Sequence, residues 1–234
     1  MNRLEVARVS RSFGGNRAVD DVSFEMAVDT LAIVGPNGAG KTTLLNLLAG
    51  VLHPQRGKVL VDGRDVTRLP PWRLARMGLV KTYQVVRPFR TLTVEENLAL
   101  FRKLRGRADV DAILAATGLE DVRHSYAGAL PFGLLKRLEL AKGLAADPDL
   151  LLLDEPIGGL SREEAAGVLA SLGGLKRSGI RMIVVEHRLS EILPVVDRVI
   201  ALDRGRLIFQ GTREEFFRDP AVRTAYLGRS DAAG

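Results

Sequence analysis

Apolar and polar positions alternate with period two in "LEVARVS" (residues 4–10) and "VSFEM" (22–26), and "KVLVDG" carries the same alternation up to Asp62-Gly63. Alternation of this kind, closed by a turn pair, predicts strands with one buried face. The first sixty or so residues therefore read as an antiparallel sheet at the edge of a fold. Three other segments are apolar without interruption: "TLAIVG" (30–35), "LLLLDE" (150–155) and "MIVVEH" (182–187). Such runs suit strands buried on both faces. Each follows a helix-like segment or lies among the strands, which predicts an α/β fold with a parallel core sheet. In such sheets ligands gather at the carboxyl ends of the strands.

Between Thr93 and Tyr126 the spacing becomes helical, in "VEENLALFRKLRG" and "DVDAILAATGL", as for a helical subdomain inserted between early and late strands. "SREEAAGVLASLGGLKRSG" predicts a helix with Ser161 as its N-cap and Glu164 as the N3 partner of a capping box. "LPFGLLKRLELA" (130–141) reads as a helix start with Pro131 near its first turn and Leu134, Leu135, Leu138 and Leu140 partly facing a core. The tail, "TREEFFRDPAVRTAYLG", predicts a short helix, a break at Pro220 and a second short helix.

The 234 residues are enough for one substantial core, and none is cysteine. That excludes a disulfide framework and a thiolate metal site, and it points to a reducing compartment, the cytoplasm. No signal peptide or membrane-spanning helix is expected, since the longest apolar runs are far too short. A net charge of +6 and a pI near 10.0 suit an anionic partner: nucleotide, nucleic acid or a membrane face. The basic residues are scattered, so a solvated surface accounts for the charge taken alone.

Candidate chemistry sharpens this picture. "GPNGAGKTT" (35–43) matches GxxxxGK[ST] and sits between a buried strand and the helix "KTTLLNLLAG". Gly35, Gly38 and Gly40, with Asn37 and Ala39, let the backbone wrap a phosphate and aim N–H groups at it, together with those at the helix start around Thr43. Lys41 places a cation on the outer phosphates, and the Thr42 hydroxyl joins a magnesium shell. "LLLLDEP" ends a buried strand in two acids, which packing alone does not favour. Beside a metal-bound nucleotide, Asp154 would hold Mg²⁺ through water and Glu155 would polarise the water attacking the γ-phosphate. His187 ends a third strand; a lone histidine is more often structural, but at this edge it could reach the γ-phosphate.

With these residues in order, the chain resembles the ATP-binding subunit of an ABC transporter from about Leu4 to Gly228. The elements are Phe13 in "SFGG", "GPNGAGKTT", Gln84 in "KTYQ", a signature segment before "LLLLDEP", the turn "GGLS" and His187. "FGGNRAVDDVSF", "KTYQVVRPFRTLTVEENL", "VVEHRLSEILPVVDRVIALDRGRLIFQGT" and "DPAVRTAYLG" look like the branched-chain (hydrophobic) amino acid uptake group. The resemblance implies an ABC-type P-loop NTPase in one domain, with a β subdomain and phosphate loop over 1–84, a helical subdomain over 85–140 and the returning core sheet with C-terminal helices over 141–228. It implies that Phe13 stacks on adenine, with Val19 packed nearby, although a strand aromatic could equally be core. It implies that Gln84 touches Mg²⁺ and the attacking water, and that the region of Arg87 and Phe89 receives a permease.

The family hydrolyses ATP as head-to-tail dimers, each nucleotide lying between one subunit's phosphate loop and the other's signature. The signature LSGGQ aligns with Leu130, Pro131, Phe132, Gly133 and Leu134. Gly133 can still bring a backbone N–H to the partner's nucleotide, whereas the serine and glutamine donors are absent, each about 1.5–3 kcal/mol toward an anion. Ser161 stands where many relatives carry Asp or Asn, Arg188 stands where Asp is frequent, and the helical subdomain looks shorter than in the branched-chain group. The resemblance thus implies an ATPase using ATP and Mg²⁺, peripheral on the inner face of the membrane. Its partners would be permease subunits, a second, different ATP-binding subunit and, indirectly, a substrate-binding protein, with no nucleic acid. Two alternatives are an ABC ATPase acting on DNA or the ribosome, which lacks the usual insertions here, and a P-loop kinase, which leaves "LLLLDEP" unexplained.

Overall fold

A computed structural model describes residues 3–27, 30–220 and 222. In chain order the elements are β1 (Leu4–Phe13), β2 (Asn16–Met26), β3 (Thr30–Val34), α1 (Lys41–Leu48), β4 (Arg56–Val61), β5 (Arg64–Asp65), α2 (Pro71–Arg76) and β6 (Leu79–Lys81). They continue with α3 (Val94–Arg102), α4 (Val110–Thr117), α5 (Phe132–Ala145), β7 (Leu150–Asp154), α6 (Arg162–Arg177) and β8 (Arg181–Val185). Then come α7 (Leu189–Ile192), β9 (Arg198–Asp203), β10 (Arg206–Thr212) and α8 (Arg213–Arg218). The chain divides into two units, Met1–Pro71 with Ile183–Gly234, and Trp72–Met182, so the division falls within β8.

The first unit contains the predicted antiparallel sheet, ordered β2-β1-β4-β5. Its buried face comes from the alternation in the sequence: Leu4, Val6 and Val9 from β1, and Val22, Phe24 and Met26 from β2. Asp62 and Gly63 join β4 to β5 with φ of 49° and 77°, the double positive φ of a tight hairpin turn. The same unit holds β3 parallel to β9, with Leu31 opposite Arg198 and Val34 opposite Ala201, and β9 antiparallel to β10. β3 is buried at all five positions, as its unbroken apolar run predicts.

In the second unit β6 runs parallel to β7, Leu79 to Lys81 lying opposite Leu150 to Leu152. The helices α3, α4 and α6 pack around α5 or one another. α5 is buried along most of its length, and among its buried residues are three charged ones, Lys136, Glu139 and Lys142. Thr93 and Glu96 close a capping box on α3, and Ser161 and Glu164 close the expected one on α6. α8 is the first of the two predicted tail helices; the second, after Pro220, lies outside the described residues apart from Val222.

Candidate nucleotide site

The chain leaves β3 at Gly35 and re-enters helix at Lys41. Gly40 has φ of 100°, and a Cβ there would collide with the Ala18 carbonyl. A Cβ on Gly35 would meet the Leu202 carbonyl in the same way. Both positions exclude a side chain because backbone from β2 and β9 comes up against the loop. No side chain caps α1, so its positive end is presented by backbone N–H groups, an arrangement that suits an anion. Asn37 and Gly38 are exposed, Ala39 is buried, and Thr42 and Thr43 are half-buried. Lys41 is buried and curls back over the loop, donating to the Gly35 and Pro36 carbonyls at 2.7 and 2.9 Å.

The loop is braced from the β9–β10 turn. The Gly205 N–H donates to the Ala39 carbonyl at 3.0 Å, and the Asp20 N–H donates to the Gly205 carbonyl at 2.8 Å. Arg206 Nε donates to Asp20 Oδ2 at 2.9 Å, and this hydrogen bond holds the Asp20 carboxyl below the usual carboxylate range. Phe13 ends β1 and is 46% exposed, with the Arg11 guanidinium 5.0 Å from its ring centroid. Val19 has no exposed surface; it belongs to the core of β2. His187 follows β8 with its side chain about half exposed, and its N–H donates to the buried Glu186 carboxylate at 3.1 Å. Arg188 makes two bonds to Glu191, each 2.7 Å.

In the second unit, Asp154 is buried at the end of β7, with Lys81 Nζ 3.3 Å from its carboxylate. Glu155 follows with φ of 48°, a left-handed conformation that a non-glycine residue adopts at a cost. Gln84 Nε2 donates to Glu155 Oε2 at 2.7 Å, so the structure brings these two predicted residues together. Lys136 Nζ donates to both the Gln84 carbonyl at 3.1 Å and the Glu155 carbonyl at 3.0 Å. Glu139 accepts from the Tyr83 N–H at 3.2 Å, while Lys142 bonds Glu139 at 2.7 Å and the Arg87 carbonyl at 3.0 Å. Lys81, Glu139 and Lys142 were absent from the sequence reading. Their signal was available for α5: charges at 136, 139 and 142, a helical spacing inside an apolar helix.

Pro131 is the N-cap of α5, as expected of a proline at a helix start. Gly133 is buried, and a Cβ there would lie 2.8 Å from the Glu164 carboxylate. That carboxylate also accepts from the Ser161 N–H at 2.9 Å. A carboxylate acceptor therefore lies against Gly133. Phe132 is exposed and lies over Gly159, where a Cβ would come within 3.2 Å of the ring.

A family model described as ABC transporter matches residues 19–158. The chain belongs to the ABC transporter family. It is 32% identical to a probable branched-chain amino acid transport ATP-binding protein LivG of Archaeoglobus fulgidus, over 99% of this chain and 98% of that one. It is 30% identical to the lipopolysaccharide export system ATP-binding protein LptB of Haemophilus influenzae, over 97% and 98%. The structure of an ATP-binding cassette of an ABC transporter in its ADP conformation superposes with a TM-score of 0.86 at 30% identity, covering 98% of this chain and 100% of that one. This ABC protein is an ATPase of the α/β P-loop class, and its ATP hydrolysis is coupled to transport. No helix among its described residues is long and apolar enough to cross a membrane.

Proposed function

We propose that this ABC ATPase powers an importer for branched-chain or related amino acids, working on the cytoplasmic face of the membrane. The observation that carries its chemistry is the 2.7 Å bond between the Gln84 amide and the Glu155 carboxylate beside the buried Asp154. The Gln84 amide has two ends: with its nitrogen on Glu155, its oxygen remains an acceptor-type ligand for a cation. In this reading Phe13 stacks on adenine, and Lys41 with the N–H groups of the phosphate loop holds the phosphates. Mg²⁺ would be held by oxygen donors of a kind that suits it, the Thr42 hydroxyl, the Gln84 oxygen and, through water, Asp154. When bound, that cation neutralises charge on the outer phosphate oxygens. Glu155 accepts a proton from the attacking water, and His187 orients the γ-phosphate.

The substrate is supported by relatives named for branched-chain amino acid transport, while LptB marks a relative with a different cargo. Permease subunits would dock near Arg87 and the exposed Phe89, with a substrate-binding protein outside the cell. A second, different ATP-binding subunit completes the dimer. Pro131 has no N–H, Leu134 has no polar side chain, and the Glu164 carboxylate faces Gly133, so this chain's signature offers its partner's nucleotide few donors.

Uptake of labelled leucine by vesicles carrying the complex tests the assignment. ATP-dependent uptake that disappears in Glu155→Gln is the expected result; vigorous ATP hydrolysis with uptake of some other solute class would overturn the substrate. For the dimer, Pro131→Ser with Leu134→Gln is expected to raise ATP turnover of the complex. Turnover of ordinary rate by a dimer of this chain alone would refute the two-subunit reading.

A further inference from the structure

We propose that Lys136 is a positioning residue for hydrolysis, fixing the backbones that carry Gln84 and Glu155 so that amide and carboxylate meet. The inference rests on the catalytic reading of those two residues. Lys136 is buried on α5, where a leucine or methionine would pack without desolvating an ammonium. The ammonium is held there by carbonyls of two separate segments, those of Gln84 and Glu155. Neither of the other buried charged residues on α5 does this: Glu139 meets Tyr83, and Lys142 meets Arg87. Lys136 alone of the three ties the glutamine segment to the acidic strand end.

The bond to Glu155 has a further role. Its carbonyl belongs to a residue at φ of 48° and also accepts from the Gly158 N–H at 3.1 Å. A left-handed glutamate persists where surrounding contacts over-determine it, and the Lys136 ammonium is one of those contacts. Removing it frees the Glu155 peptide to relax and uncouples Gln84 from it, while the phosphate loop, Lys41 and Phe13 are untouched. Loss of Lys136 is therefore expected in turnover and not in nucleotide affinity.

ATP turnover by the purified transport complex, measured against ATP concentration, separates the outcomes for Lys136→Met, Lys136→Arg and Glu155→Gln. Lys136→Met is expected to lower kcat by about 10- to 100-fold, as small misplacements of catalytic groups do, with KM within about twofold of the parent. Lys136→Arg, which keeps a cationic multi-donor group, is expected to recover most of that loss. Should the methionine variant fail to fold, Lys136→Gln takes its place with the same expected sense. An unchanged kcat, equal losses for Met and Arg, or a rise in KM that mirrors the fall in kcat would overturn the proposal. A Glu155→Gln complex that still turns over would overturn the catalytic reading and this inference with it.

Discussion

Asn97 has no exposed surface and uses both ends of its amide. Its oxygen accepts from the Phe89 N–H at 2.9 Å, and its nitrogen donates to the carbonyls of Phe89, Leu92 and Thr93 at 3.1, 3.3 and 2.9 Å. One side chain thus shapes the loop that presents Phe89. Asn97→Ala strands several of these groups and is expected to destabilise the chain by about 2–4 kcal/mol, read by denaturant unfolding. At this scale the sequence was readable where a motif imposes spacing: Gly35, Gly40 and Lys41 had to stand where they do. Lys81 was not readable, because the group it meets, Asp154, lies far along the chain. Val19 shows the opposite limit, since a valine in a strand carries no mark that separates a ligand contact from core.

Local elements were legible wherever a short stretch contains its own punctuation. The Ser161–Glu164 capping box and the Asp62-Gly63 hairpin each declare themselves within four residues. Ser161→Ala is expected to cost about 1 kcal/mol, measured as a shift of the denaturation midpoint. β6 escaped the reading because three residues are too short to show a period, whereas the apolar run 199–202 of β9 carries the same signal as β3 and β7 and was passed over. The β9–β10 turn also makes a pH prediction. The Asp20 carboxyl titrates below its ordinary value because Arg206 bonds it, so its contribution is present above the unfolded pKa of about 3.8 and fades as pH falls through the lower folded value. Arg206→Met is therefore expected to lower the thermal midpoint at pH 7 and to have less effect at pH 3.

Over the whole molecule, a nucleotide that binds the folded chain and not the unfolded one must stabilise it. Mg-ATP at a hundred times its Kd is expected to add about 2.7 kcal/mol, and Lys41→Ala to remove most of that gain, both read by thermal unfolding. The fold class was legible at this scale because strand type, helix spacing and the phosphate motif all agree. The two-unit division was not, since it falls inside the apolar run 182–185 of β8. The brace on the phosphate loop also sets a timetable. β3 takes β9 as its parallel neighbour, and the Ala39 carbonyl accepts from the Gly205 N–H, so both supports come from chain that follows β7 and β8. A ribosome that has already released the motif, α5 and β7 has still not released the residues that brace the loop. Until Gly205 has cleared the exit tunnel, the nascent chain carries its GxxxxGK[ST] motif without either support.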